Sequence, residues 1–173
     1  MMNCPFCGHE NIDGEDSCQQ CQQPLEFLSS PQTHSGLERS LLKDRVFALA
    51  PRQPIAVSPD TPVREVLDML VSHSIGCVVV TDGDEPVGIF SERDALHRLN
   101  VDAAEMGEAP ISDFMTPNAE TVESDARIAF ALHKMDIGGY RHMPVVSEGR
   151  VVGMISIRDV LDYITANLVA TND

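Results

Sequence analysis

The sequence predicts a mixed α/β (α+β) protein: two copies of one β-α-β-β-α unit packed as a pseudo-symmetric pair, preceded by a small four-cysteine metal knuckle. Three observations carry that expectation. Four of the five cysteines fall in two Cys-x-x-Cys pairs between positions 4 and 21, and the rest of the chain matches itself 65 positions along. Within each copy, apolar residues at helical spacing alternate with short apolar runs bounded by Gly and Pro. The expected organisation is a metal knuckle at 1–27, a linker at 28–36, a first repeat with a lead-in helix at 37–105 and a second repeat at 106–173.

Composition sets the outer bounds. The 173 residues are 43% hydrophobic, 23% charged and 5% aromatic, values of a folded chain with one medium domain or two small ones. Twelve basic against 27 acidic side chains leave a net charge of −15, which repels nucleic acid and anionic membrane surfaces. An anionic ligand therefore needs a locally cationic pocket. No apolar run approaches the roughly 18 residues of a membrane span, and the Met1-Met2-Asn3-Cys4 start lacks the basic and apolar regions of a secretory signal, so a cytoplasmic protein with no membrane partner is expected.

The opening segment places Cys4-Pro5-Phe6-Cys7-Gly8 ahead of Cys18-Gln19-Gln20-Cys21. Two thiolates three positions apart bind one cation from a tight turn, and a second such turn completes the tetrahedral S4 set that suits Zn(II). Gly8 offers a backbone without a Cβ where the first turn must close. A redox dithiol is the competing reading, but a thioredoxin-like Cys-x-x-Cys belongs in a βαβ pattern absent from this stretch. About twenty residues cannot bury an adequate core, so the metal itself would supply the folding free energy. With Cys4, Cys7, Cys18 and Cys21 as ligands, no open position is left for substrate, which makes the expected role structural. The segment resembles the small zinc-ribbon family in its Cys-Pro-x-Cys-Gly start, in Asn11 and Gly14, and in the Pro24-Leu25 ending. It departs from that pattern at Ser17 and Gln22. His9 and His34 are expected in solvent. Residues 1–36 hold no Lys or Arg and five acids, Glu10, Asp13, Glu15, Asp16 and Glu26, so the knuckle is expected to dock protein rather than nucleic acid. A Gln-, Ser- and Pro-rich linker follows.

The elements of the repeats read in order. Residues 37–49 predict a lead-in helix, and 55–57 a short strand. Thr61-Pro62 then predicts an N-cap followed by proline in the first helical position, and Val63, Val66, Leu67, Leu70 and Val71 form one apolar helical face. Gly76 opens the strand 77–80, Asp82-Gly83-Asp84 turns the chain, 87–90 makes a second strand, and Ser91 starts another helix. Sixty-five positions on, the second copy predicts a strand at 121–122 and a helix carrying Ile128, Leu132 and Met135. Strands at 142–146 and 151–155 follow, then a helix carrying Val160, Leu161, Ile164 and Leu168. Residues 100–110 read as an acidic connector. Cys77 is expected as a buried structural thiol, and His73, His97 and His133 at the surface.

Gly88-Ile89-Phe90-Ser91-Glu92-Arg93-Asp94 returns as Gly153-Met154-Ile155-Ser156-Ile157-Arg158-Asp159. With Phe114-Met115-Thr116-Pro117 and Tyr140-Arg141-His142-Met143-Pro144-Val145-Val146, these duplicated stretches resemble a tandem pair of CBS domains, the Bateman module. The resemblance implies a non-catalytic regulatory module that binds AMP, ADP, ATP or S-adenosylmethionine in clefts between the repeats and pairs into homodimers. It also implies that Asp94 and Asp159 hold ribose, with Ser91 and Ser156 contacting ribose or phosphate.

The same residues also read as capping boxes, with each serine satisfying a free N–H of the first turn and each aspartate answering from three positions on. Arg93 and Arg158 add charge suited to a phosphate, and the second copy alone adds Arg141 and His142 at its strand entrance, so it is expected to bind phosphate better. Met143, Pro144 and the backbone near Thr121 and Val122 are the expected adenine face, matched in the first copy by Val78, Ala56 and Val57; ordinary strand core is the alternative for the apolar ones. Arg52 and Lys134 are further possible phosphate contacts. No effector domain remains after knuckle, linker and repeats, so signalling is expected to pass to an unidentified protein partner. The alternative is a ligand-free dimeric scaffold that docks partners through the knuckle. No nucleophile–base pair, open metal site or P-loop points to an enzyme.

Overall fold

The structure, a computed structural model, describes residues 2–4, 6–12, 15–25, 36–99 and 105–170. The linker, apart from Gly36, falls outside these residues, as do Pro5, Asp13, Gly14, Glu26, His34 and the first part of the 100–110 connector. Two compact units partition the chain, Met1–Pro51 with Glu123–Arg141 and Ser156–Asp173, and Arg52–Val122 with His142–Ile155, so each draws on both repeats. No helix among the described residues is long and apolar enough to cross a membrane.

In the knuckle, β1 (Met2–Asn3) pairs antiparallel with β2 (Glu10–Asn11). Leu25 packs in a small cluster with Cys4 and Cys18, flanked by Phe6, Cys7 and Cys21. After the linker, α1 (Gly36–Lys43) is followed by a 3-10 turn (Val46–Leu49), which corrects the single helix expected over 37–49. Tertiary pairing breaks it. Arg45 is extended, the Asp44 carbonyl accepts the Ile128 N–H at 3.0 Å, and Val46 N–H donates to the Ala126 carbonyl at 2.8 Å. These bonds to the stretch before the fourth helix replace the ones a continuous helix would make.

Asp44 also ties in the last helix, because its carboxylate accepts the Tyr163 hydroxyl. Burial, with the Asp44 carboxylate beside it, pushes the Tyr163 phenol from its ordinary value near 10 up to about 12. The folded state thus favours the neutral phenol. The stability this gives is fully present below pH 10 and is lost as pH rises through about 12. Tyr163→Phe is expected to cost about 1–2 kcal/mol, the worth of a hydrogen bond to a charged acceptor at a half-buried site, and to flatten that alkaline loss in urea denaturation between pH 8 and 11.

The first repeat runs β3 (Ala56–Val57), α2 (Val63–Ser72), β4 (Cys77–Asp82), β5 (Glu85–Ser91) and α3 (Glu92–Asp94), which continues as a π-helical turn (Ala95–Leu99). A 3-10 turn (Ile111–Asp113) leads to β6 (Thr116–Pro117). The sheet order is β3-β4-β5-β6, with β3 parallel to β4 and the other pairs antiparallel. Val63, Val66 and Leu70 bury the face of α2 against a core that includes Val57, Val78, Val80, Phe90, Leu99 and Ile111. Val71, expected on that face, is 80% exposed, since its position falls past the edge of the stripe. The expected Thr61 N-cap is also corrected. Pro62 is the extended residue before the helix and makes no side-chain cap, while Val63 and Arg64 donate their N–H groups to the Ala109 and Gly107 carbonyls at 2.9 and 3.0 Å. The connector's backbone satisfies the first turn instead.

The second repeat runs β7 (Val122–Glu123), α4 (Ile128–Gly138), β8 (His142–Ser147), β9 (Arg150–Ser156) and α5 (Ile157–Ala170), with sheet order β7-β8-β9. Ile128, Ala131 and Met135 bury one side of α4, and Leu132 is half-buried. Glu148 and Gly149 both have positive φ, 52° and 78°, the backbone of a tight hairpin turn whose twist matches the strands. The β-α-β-β-α order is therefore present twice, as the sequence predicts. Cys77 is buried, and burial, helped by Glu92 and Asp94, pushes its thiol up to about 12, the character of an inert structural cysteine. His73 and His97 are exposed, whereas His133 is half-buried against the knuckle, a correction to the surface position expected for it.

Candidate functional site

The knuckle is built from two turns that repeat each other 14 positions apart. In the first, Cys4 N–H donates to the His9 carbonyl at 2.7 Å and Gly8 N–H to the Cys4 carbonyl at 2.8 Å. In the second, Cys18 N–H donates to the Gln23 carbonyl at 2.7 Å and Gln22 N–H to the Cys18 carbonyl at 2.8 Å. Gly8 has φ +77° and Gln22 φ +59°, so both turns need the left-handed conformation and only the first uses glycine for it. Gln22→Gly is accordingly expected to stabilise the metal-loaded knuckle by roughly 1 kcal/mol, read as a few-fold gain in chelator competition.

The turns bring four sulfurs together. Cys4 Sγ lies 3.6 Å from Cys21 Sγ, Cys7 Sγ 3.6 Å from Cys18 Sγ, and all four fall within 4.8 Å of one another. Metal–sulfur bonds of about 2.3 Å in a tetrahedron require sulfurs about 3.8 Å apart, so the set fits one Zn(II)-sized cation. Burial pushes the Cys7 and Cys21 thiols above the ordinary cysteine value. At Cys18 burial acts in the same direction but is outweighed by the backbone N–H groups of Cys21 and Gln20, the Asn11 amide and Cys7, which bring it down to about 6. One thiolate thus forms readily while crowding disfavours further negative charge, an imbalance that a divalent cation relieves. Asn11, which the sequence marked only as part of the ribbon pattern, is buried. Its amide donates to the His9 carbonyl at 2.9 Å and approaches Cys18 Sγ at 3.6 Å, and its Oδ1 accepts Gln19 N–H at 3.0 Å, so one side chain braces both turns. His9 contributes its carbonyl to this frame and is not among the four ligand atoms.

Both Ser-x-x-Asp motifs sit at helix starts, with the serine bonded to the aspartate carboxylate. Asp94 Oδ2 accepts Ser91 N–H at 2.9 Å and the Ser91 hydroxyl at 2.6 Å, and Asp94 N–H returns to Ser91 Oγ at 3.3 Å. Asp159 Oδ2 accepts Ser156 N–H at 2.7 Å and the Ser156 hydroxyl at 2.6 Å. The backbone around the boxes repeats as well: Glu92 N–H donates to the Gly76 carbonyl and Ile157 N–H to the Arg141 carbonyl, each at 3.0 Å. The reciprocal capping box is complete in the first copy, and in both copies the bonds from the serine fix the orientation of the carboxylate.

The copies then diverge. Asp94 Oδ1 accepts the Thr116 hydroxyl at 2.9 Å and lies 3.4 Å from the Arg98 guanidinium, which in turn donates to the Phe114 carbonyl at 3.0 Å, to the Met115 carbonyl and to Thr116 Oγ1 at 2.9 Å. The sequence marks Thr116 only as part of the Phe114–Pro117 stretch that carries the resemblance, and Arg98 not at all. An i,i+4 Asp–Arg pair was a readable signal, but the arrival of β6 beside it was not. The residue matching Arg98 in the second copy is Tyr163, which serves Asp44 instead.

Among the other residues expected at a ligand site, Ala56, Arg93, Arg141 and Arg158 are exposed, and Ser91, Asp94, Thr121, His142 and Ser156 are half-buried. Val57, Val78, Val122, Met143 and Pro144 are buried, so their side chains form strand core. Asp159 is buried at 9% exposure. His142 lies against Gly76, where a Cβ would come within 2.6 Å of the imidazole, so glycine at that position makes room for the ring. Arg52 pairs through its backbone with Met154, and the Lys134 ammonium lies 5.1 Å from the centre of the Phe130 ring.

A family model of the CBS domain matches residues 46–101 and 111–166. A 17.7 kDa protein of Acidianus ambivalens is 31% identical over 119 residues, 67% of this chain and 70% of that protein. Several further curated relatives are longer, and the match spans between 18% and 63% of their length. Among solved structures, the CBS-domain-containing protein of Agrobacterium tumefaciens is 33% identical with a TM-score of 0.62, covering 68% of this chain and 94% of that one. A CBS-domain protein of Pyrobaculum aerophilum, solved in complex with AMP, is 28% identical with a TM-score of 0.61, covering 71% of this chain and 99% of that one.

Proposed function

Since the chain belongs to the CBS-domain family, we propose that it is a non-catalytic regulatory module that binds an adenosine-containing ligand, AMP, ADP, ATP or S-adenosylmethionine, and signals its presence to a partner protein. The observation that carries this reading is the duplicated box in which Ser91 with Asp94, and Ser156 with Asp159, hold a carboxylate at the start of a helix. A carboxylate so fixed accepts hydrogen bonds from a ribose diol, and exposed guanidinium groups at Arg93, Arg141 and Arg158 supply the positive charge that a phosphate needs in an acidic protein. His142 at the entrance of β8 adds a further polar contact. The AMP complex of the Pyrobaculum relative supports the ligand class. The site residues of this reading are Ser91, Arg93, Asp94, Arg141, His142, Ser156, Arg158 and Asp159, with Met143, Pro144 and the backbone near Thr121 and Val122 as the adenine face of the second copy and Val78, Ala56 and Val57 as that of the first.

The four-thiol knuckle holds a structural Zn(II), which supplies the folding free energy that so short a segment lacks. A thiolate metal site and the free, buried Cys77 suit a reducing compartment such as the cytoplasm. The module acts as a homodimer. One observation favours a second reading, a ligand-free scaffold: Asp94 already receives Thr116 and Arg98 from within the chain.

A thermal-shift panel on zinc-loaded protein tests the two readings. At ligand concentrations about 100 times the dissociation constant, linkage adds about 2.7 kcal/mol. A shift with adenine ligands and none with GTP supports the regulatory module; no shift with any of them supports the scaffold.

A further inference from the structure

We propose that the metal state of the knuckle is read by the second repeat through a docking contact between Gln23 and His133. This rests on the metal reading above. Gln23 closes the second knuckle turn by accepting Cys18 N–H on its carbonyl at 2.7 Å, and its side-chain amide nitrogen lies against both ring nitrogens of His133 on α4, 2.8 Å from Nδ1 and nearer still to Nε2. One residue therefore belongs to both structures. Its placement depends on the turn, and the turn holds Gln22 at φ +59°, a conformation a non-glycine residue keeps only when its surroundings enforce it. A cation drawing Cys18 and Cys21 together supplies that enforcement. Without it the turn relaxes, and Gln23 leaves His133.

The contact leads onward within one compact unit. α4 ends at Gly138, and three residues later the Arg141 carbonyl accepts the N–H of Ile157, the first residue of α5, at 3.0 Å. Asp159 lies two residues further on, bonded to Ser156. A contiguous path thus joins the metal ligands to the carboxylate assigned to the ribose.

The full-length chain tests this with hydrogen exchange of α4 peptides, with and without a chelator, and with Co(II) absorption as an independent check on the knuckle. Metal removal is expected to speed exchange across α4 at least tenfold in the wild type. Gln23→Ala and His133→Ala should exchange at the fast rate even when loaded, while keeping the tetrahedral cobalt–thiolate spectrum. Equal protection with and without metal, or protection retained in both variants, overturns the docking. Failure of the wild type to give a cobalt–thiolate band removes the metal reading and the docking with it; a normal band with unchanged exchange removes the docking alone. Because exchange needs no nucleotide, the result stands whether or not an adenosine ligand binds.

Discussion

Cys18→Ser is expected to unfold residues 2–25 while leaving both repeats folded. The sulfur at this position is the one brought down to about 6, and its neighbours Asn11 and Cys7 are arranged around it. Metal binding in knuckles of this size supplies about 10–16 kcal/mol, far more than the three buried residues of this cluster, Cys4, Cys18 and Leu25, provide by themselves. Loss of one of four ligands should therefore abolish the cobalt–thiolate absorption. The variant should also open the segment to a glutamate-specific protease at Glu10 and Glu15, whereas trypsin finds no Lys or Arg there. Because the thiols of Cys7 and Cys21 hold their protons above the ordinary cysteine range, metal entry releases protons, and apparent affinity rises with pH. The first repeat, whose core lies in the other compact unit, should keep its unfolding midpoint within a few degrees, while α4 loses the protection that docking gives it. A knuckle that resists the protease after chelation would mean that it folds without metal.

Asp159→Ala is expected to weaken AMP binding ten- to a hundredfold, and Asp94→Ala to weaken it less. Removing an ionised acceptor of two ribose hydrogen bonds costs about 1.5–3 kcal/mol. Both substitutions also remove the acceptor of a serine N–H at a helix start, worth about 1 kcal/mol of stability in either copy. The ranking follows from charge, since only the second copy carries Arg141 and His142 at its strand entrance. A ribose at Asp94 must displace the Thr116 hydroxyl and the Arg98 guanidinium from Oδ1, so the first box binds weakly until those partners are gone. Arg98→Ala should then raise affinity at the first box and leave the second unchanged. Calorimetric titration of the three variants separates these effects, and an Asp159→Ala protein that binds AMP like the wild type would remove Asp159 from the site.

Much of this arrangement was legible in the sequence because it rests on local rules. The duplicated Gly-x-x-Ser-x-Arg-Asp stretches set both hairpins and both boxes, and the cysteine spacing set the knuckle. What was not legible depends on residues distant in the chain. The lead-in helix breaks at Arg45 because the stretch before α4 competes for its backbone, and Thr61 loses its capping role to carbonyls at positions 107 and 109. β6 forms only because Thr116-Pro117 pairs with Gly88 and Ile89, and this pairing brings Thr116 to Asp94. His133 looked like a surface residue because nothing in its own helix announces Gln23, which lies 110 positions earlier. At the adenine face, periodicity marked Val78 and Met143 as apolar without distinguishing a pocket wall from a core, and both are core.

The most direct test of the central claim is a calorimetric titration of zinc-loaded, full-length protein with AMP. Saturable binding that GTP does not reproduce, lost or sharply weakened in Asp159→Ala, is the predicted result. No heat and no competition at millimolar AMP, in protein whose cobalt spectrum proves the knuckle intact, would contradict the account and leave the duplicated boxes as helix caps alone.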